Sequence, residues 1–280
     1  GQIIPPSIVL IILGDVFQQP VGDLFQAAIG PGLLLVVLYI VYILILAFFN
    51  KEVAPPLPVL EGSRAGNIKR AILAIFPPLT LIVLVLGSIF AGVATPTESA
   101  SVGSVGALLL AAAYRKLSFK IVDEAAIETV KITAMVFAIL IGATAFSMVF
   151  VYSGADYIVE DTLTNLPGQK WTFLLLSMLA IMVLGFFIDF IEISYIVVPI
   201  LLPIAVAIGI NPLWFAILIA MNLQTSLLTP PFGFSLFYLK GVCPPEVRTV
   251  DLYRGVIPFI IIQMFVLFTI VAFPGFYGFQ

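Results

Sequence analysis

The sequence predicts an all-α polytopic membrane protein, and three observations carry that expectation. Of 280 residues, 62% are hydrophobic and 10% are charged, with a mean hydropathy of +1.22; a soluble domain carries about 25% charged residues. Several charge-free stretches reach the roughly 20 residues that a helix needs to cross a hydrocarbon core. Proline pairs fall inside some of these stretches instead of merely bounding them.

Composition also excludes function classes. The net charge of −3 gives no electrostatic grip on nucleic acid. There is no histidine and one cysteine, Cys243, which removes disulfides, Cys/His metal clusters and histidine acid–base chemistry. No phosphate-binding loop or catalytic triad motif is present.

Along the chain, 3–13 reads as the second half of a span broken around Pro5-Pro6. Full spans are expected at 24–49, 71–94, 132–152 and 256–279, and 99–114 is long enough only if Thr97 and Glu98 start it. Two apolar arms, 171–188 and 193–210, flank the acidic insert Asp189-Phe190-Ile191-Glu192, and 212–239 is interrupted by Thr229-Pro230-Pro231. Loops at 50–70, 115–124 and 240–254 hold ten of the twelve basic residues, so they are assigned to the cytoplasm. The helices between them alternate correctly only if 171–210 enters and leaves on one side, turning at Asp189–Ser194. That makes it a re-entrant hairpin.

An internal repeat is visible. Residues 4–10 resemble 229–235, and Asp23-Leu24-Phe25 resembles Asp251-Leu252-Tyr253, at offsets of 225 and 228. The Asp23 copy lies outside and the Asp251 copy inside. Repeats of opposite orientation, each with a proline-interrupted span, are the pattern of a secondary transporter. The chain accordingly divides into 1–114, the end of a first repeat with connecting helices, and 115–280, a second repeat with the hairpin at about 171–210 and the broken helix at 212–239.

The residues able to do chemistry are few. Pro5-Pro6-Ser7 and Thr229-Pro230-Pro231 either kink their helices or break them, and a break frees carbonyls that only protein, water or an ion can satisfy at membrane depth. Phe76-Pro77-Pro78 has no polar neighbours and reads as structural. Glu98, Asp189 and Glu192 are carboxylates within or beside apolar stretches that contain no base, and such groups are functional hypotheses by default. Glu98 also fits a helix start, with Thr95 or Thr97 as the cap. Asp189 suits either a cap at a solvent-exposed turn or an ion ligand. Ser194, Asn222, Gln224, Thr225, Ser226 and Thr229 add the oxygen ligands that a hard cation takes.

Four motifs in order resemble a known family: residues 1–7 (GQIIPPS), 92–98 (GVATPTE), 198–203 (VPILLP) and 222–233 (NLQTSLLTPPFG). They are similar to the large membrane subunit of TRAP transporters, the tripartite ATP-independent periplasmic systems. The resemblance covers essentially the whole chain. It implies a non-enzymatic, multi-pass protein of the bacterial inner membrane, working by an elevator-type movement in sodium-coupled uptake of small organic acids, such as C4-dicarboxylates, 2-oxo acids or sialic acid. It also implies a periplasmic binding protein that delivers the substrate, a small membrane subunit alongside, and a first hairpin preceding Gly1. On this basis sodium is expected between the hairpin tip and the second break, at Gly185, Asp189, Ser194, Thr225, Thr229, Pro230 and Gly233. Substrate is expected near Ser7, Asn222 and Gln224, with the helix breaks at Pro5, Pro6, Pro230 and Pro231. The tip departs from the family pattern, with Asp189-Phe190 where Asp-Pro is usual, followed by Glu192. The alternatives are a sodium-coupled divalent-anion carrier that needs no binding protein, an intramembrane enzyme using Asp189 and Glu192 as paired acids, and a purely structural membrane subunit.

Overall fold

A computed structural model describes residues 2–50, 64–231, 233–244 and 247–279, with residues 64–70 and 234 described by their backbone alone. No strand occurs among them. Twelve α-helices are described: α1 (Ile8–Phe17), α2 (Val21–Phe49), α3 (Arg64–Phe90), α4 (Pro96–Ala113), α5 (Phe119–Tyr152), α6 (Ala155–Thr164), α7 (Gln169–Leu184), α8 (Phe190–Glu192), α9 (Val198–Ala207), α10 (Pro212–Ser226), α11 (Phe234–Val242) and α12 (Thr249–Ala272). A π-helical segment, Ile193–Val197, joins α8 to α9 as one continuous arm, and a 3₁₀ turn, Pro274–Tyr277, follows α12. Five apolar segments of this chain are long enough to cross a membrane among the described residues: Val21–Phe49, Ala71–Phe90, Phe119–Tyr152, Phe190–Ala207 and Thr249–Ala272.

The chain divides into two compact units, Gly1–Tyr39 with Met135–Gln280, and Ile40–Ala134. In the first, α10 is the core. Every residue from Trp214 to Ser226 is buried, because α1, α7, α9 and α12 all pack on it. A helix that is apolar all round has no face for solvent and suits such a centre. Lipid is as apolar as these side chains, so the helices associate through close packing, not through exclusion of water. Phe215 illustrates this, with the rings of Phe17 and Phe173 at 6.0 and 5.9 Å. Asn211 starts α10 by accepting from Leu213 and Trp214 N–H at 2.9 and 3.2 Å, and Pro212 fits the first helical position.

In the second unit, α3 and α4 form an antiparallel pair. Thr95 and Glu98 cap α4 reciprocally: Thr95 N–H donates to Glu98 Oε2 at 2.8 Å and Glu98 N–H to Thr95 Oγ1 at 3.3 Å. The capping expectation for Glu98 therefore stands, with Thr95 as the cap. Small residues on one face of α4 admit α3: Ser99 Oγ meets Ser88 Oγ at 2.8 Å, and Gly103 lies against Val85 and Gly106 against Leu81.

Of the two proline pairs expected to interrupt helices, Pro230-Pro231 lies between α10 and α11, and Pro5-Pro6 lies in the non-helical stretch before α1. Residues 2–7 precede α1, residues 227–233 separate α10 from α11, and both Pro-Pro bonds are cis. Pro77 and Pro78 instead sit inside α3, which runs on through them. Element order after each break is the same: a helix of 10 or 9 residues, then a long helix with an acid in its first turn (Asp23, Asp251) and an internal proline (Pro31, Pro258).

Several boundaries differ from expectation. The hairpin turns at Gly185–Ile188, not at Asp189–Ser194. Asp189 Oδ1 accepts from Phe190 N–H at 2.8 Å, so it caps and opens the second arm, and Ser194 lies in the π-helical segment. The loop expected at 115–124 is short, because α5 begins at Phe119. Its polar start is held on the helix surface by Lys120–Glu124 and Lys131–Glu128 pairs at 3.8 and 2.6 Å. Between the span ending at Tyr152 and the hairpin, residues Ala155–Thr164 form the helix α6. Of the basic loop at 50–70, residues 51–63 lie outside the described residues, while Arg64, Lys69 and Arg70 fall in α3.

Candidate functional site

The hairpin tip, the second break and the first break converge in the first unit. At the tip, α7 ends at Gly185, whose N–H donates to Ile181 O at 2.8 Å; Phe187 and Ile188 N–H return to Leu184 O at 2.9 and 3.0 Å. Gly185 has ordinary helical φ, so backbone freedom does not explain the residue; space does. A Cβ built there would stand 2.6 Å from Ser226 Cβ, at the last residue of α10. The tip thus rests directly on the break.

At the break, successive bonds tighten the end of α10. Leu228 N–H donates to Thr225 O at 3.2 Å and Thr229 N–H to Ser226 O at 3.0 Å. Hydroxyls follow the same direction: Thr225 Oγ1 to Met221 O at 2.9 Å, Ser226 Oγ to Leu223 O at 2.9 Å, Thr229 Oγ1 to Thr225 O at 2.7 Å. Each hydroxyl spends its proton on its own helix and retains lone pairs, which makes it an acceptor toward anything else. Tyr253 Oη donates to Pro231 O at 2.8 Å, Ser235 N–H reaches back to Leu227 O at 3.2 Å, and Gly233 starts α11 at a φ of 49°.

The first break is tied to the same core. Ile3 N–H donates to Gln224 Oε1 at 2.9 Å, between buried partners, and Ser7 Oγ accepts from Leu10 N–H at 3.2 Å while donating to Gln2 O. Gln224 is thereby a clamp between the two breaks.

Two cavities open around this junction. One of about 600 Å³ is bordered by Gln2, Asp189, Glu192, Leu227, Ser235 and Tyr238. The other, about 650 Å³, is bordered by Gln2, Tyr39, Gln224, Leu227, Ser235 and Gln263. Gln2, Leu227 and Ser235 face both. Oxygen atoms of Gln2 and Glu192 are enclosed without a protein partner, and buried polar groups of that kind are rare. The arrangement offers carboxylates, amides and hydroxyls, and no base lines either cavity.

The candidate residues are therefore only partly assembled. Gly185, Asp189, Thr225, Thr229, Pro230, Gly233, Ser7 and Gln224 belong to the junction. Ser194 is fully buried, one turn into the second arm, with its Oγ unpartnered, and it borders neither cavity. Asn222 faces away, donating to Met178 O at 2.6 Å. Gln2, Ser235, Tyr39 and Gln263 were not singled out in the sequence. Gln263, a lone buried amide in an apolar helix, carried the only readable signal.

Apolar helices long enough to cross a membrane, packed around a helix break and a helical hairpin, define an all-helical polytopic membrane protein. The family described as the tripartite ATP-independent periplasmic transporter, DctM component, matches residues 1–276, and the chain belongs to that family. It is similar to the sialic acid TRAP transporter large permease protein SiaM of Vibrio cholerae, 32% identical over 280 residues, 99% of this chain and 63% of that protein. It is also similar to the C4-dicarboxylate TRAP transporter large permease protein DctM of Pseudomonas aeruginosa, 32% identical over 277 residues, 98% and 63%. A third relative is the ectoine/5-hydroxyectoine large permease protein UehC of Ruegeria pomeroyi, 30% identical over 273 residues, 97% and 62%. The chain spans about 63% of the length of the first two relatives. Family and apolar helices together place it in the bacterial inner membrane as a multi-pass protein.

Proposed function

We propose that this chain is the greater part of the membrane subunit of a sodium-coupled importer of small organic acids, delivered by a periplasmic binding protein and assisted by a small membrane subunit. The observation that carries the reading is the convergence of Gly185–Asp189 with both proline breaks on shared cavities. Half-helix ends present oriented dipoles near one point: carbonyl ends suit a cation, and N–H ends suit a carboxylate. Thr225 and Thr229, as acceptors, together with Asp189 and break carbonyls, suit sodium, which travels as cargo with the substrate. The hairpin is read as re-entrant and the matched element order after each break as an inverted repeat, one half of which carries the site toward either side of the membrane. Names among the relatives, sialic acid and C4-dicarboxylate, support organic acids broadly, and another relative is named for ectoine/5-hydroxyectoine.

The test uses the complete subunit, with its small subunit and binding protein, in vesicles under an imposed sodium gradient. Thr229→Ala and Asp189→Asn are expected to raise the sodium concentration for half-maximal uptake severalfold while substrate binding by the periplasmic protein stays unchanged. Uptake that ignores sodium, or variants with the wild-type sodium dependence, would overturn the ion site. Uptake without the binding protein would favour the divalent-anion carrier instead.

A further inference from the structure

The second break is held by a side chain that neither the hairpin nor α10 supplies. From Thr229 to Pro231 the backbone has one donor, because proline carries no N–H. That donor, Thr229 N–H, is spent on Ser226 O at 3.0 Å, so the segment can otherwise only accept. Its flanks are taken: Ser235 N–H reaches Leu227 O at 3.2 Å, and Tyr253 Oη donates to Pro231 O at 2.8 Å. Among the described residues no donor reaches the carbonyls of Leu228, Thr229 and Pro230 between those two ties. We propose, resting on the sodium-coupled reading above, that these three carbonyls are the backbone ligands of the ion and that Tyr253 is the residue that positions them.

The anchor itself is fixed. Arg248 pairs with Asp251 at 3.0 and 3.1 Å across the first turn of α12, and Lys240 Nζ of α11 donates to Val247 O just before it. Tyr253 follows two residues after Asp251, so its hydroxyl is aimed from a helix start tied both to itself and to α11. Gly233 keeps one of the free carbonyls clear, since a Cβ there would stand 3.2 Å from Thr229 O. Hard cations take carbonyl oxygens, and oxygens already held in place bind more tightly because the ion does not have to order them. The first break lacks this device. At the corresponding place in the sequence repeat stands Phe25, 1% exposed and without a hydroxyl, and that break is clamped instead through Ile3 by Gln224. A phenol tie is therefore specific to the second break, where Thr225 and Thr229 also present their lone pairs. Tyr253 is half-buried and Pro231 exposed, so water competes for the bond and its worth is that of one net hydrogen bond.

The experiment follows thermal unfolding of the complete subunit in detergent by tryptophan fluorescence, against sodium chloride with ionic strength held by choline chloride. An ion that binds only the folded state raises the midpoint once its concentration passes its Kd. Tyr253→Phe deletes one hydroxyl. It is expected to raise the sodium concentration needed for that shift by about 3- to 10-fold, the range of one net hydrogen bond, while the sodium-free midpoint stays near wild type. In vesicles the half-maximal sodium concentration for uptake should rise by the same factor with the maximal rate retained. Tyr277→Phe, which deletes a phenol bonded to Thr269 at the other end of α12, should change neither. Unchanged sodium dependence in Tyr253→Phe, or a lower sodium-free midpoint with the same sodium half-saturation, overturns the assignment. A wild-type midpoint and wild-type uptake that both ignore sodium overturn the ion site itself, an outcome distinct from either.

Discussion

The contact between Gly185 and Ser226 permits a quantitative test of how the hairpin tip seats on the helix break. In Gly185→Ala the new Cβ would lie 2.6 Å from Ser226 Cβ, against an optimal carbon separation of about 3.5–4.0 Å. The clash cannot be relieved by rotating a long side chain, since the obstacle is a Cβ on a fully buried residue. Backbone must shift by roughly 1 Å, and overpacking of this kind costs about 1–3 kcal/mol. Ser226→Gly removes the obstacle, at a cost of its own from the helix-end glycine and the lost bond to Leu223 O. The double variant should recover most of the alanine penalty, giving a coupling of about 1–3 kcal/mol in a double-mutant cycle. The assay is denaturing-detergent unfolding of the complete subunit, followed through the fluorescence of the buried Trp214. Single effects that add to within about 0.5 kcal/mol would refute direct seating of the tip on the break.

Gln224→Leu leaves the buried Ile3 N–H without its acceptor and should cost about 1–3 kcal/mol in the same unfolding titration, with faster amide exchange at Ile3. Thr95→Ala removes the reciprocal cap of α4 and should cost about 0.5–2 kcal/mol, whereas Thr95→Ser should hold near wild type. Gly103→Leu drives a side chain into Val85 across the α3–α4 pair and should lower stability by about 1–3 kcal/mol, read by the same titration; no loss would mean that the two helices do not pack through their small residues.

Amino-acid order alone determined the helical class, the spans and the breaks. An apolar stretch in lipid must satisfy its own backbone, which leaves helix as its only form. The same rule made a proline pair legible as a candidate interruption, and the lack of polar neighbours marked Pro77-Pro78 as structural, a pair that α3 does pass through, whereas Pro230-Pro231 lies between α10 and α11. Local chemistry likewise revealed the cap at Thr95 and Glu98, because its partners are three residues apart. Tertiary structure decided the rest. Asp189 looked like the turn and is the cap of the second arm, since the chain had already reversed where Gly185 finds room beside Ser226. Gln224 and Asn222 stand two residues apart and looked alike. On a helix they point in different directions, so one clamps Ile3, 221 residues away in sequence, and the other donates to Met178 O on the first hairpin arm. Those assignments depend on which helix lies across from each side chain, and packing among distant apolar helices sets that without leaving a local trace in the sequence.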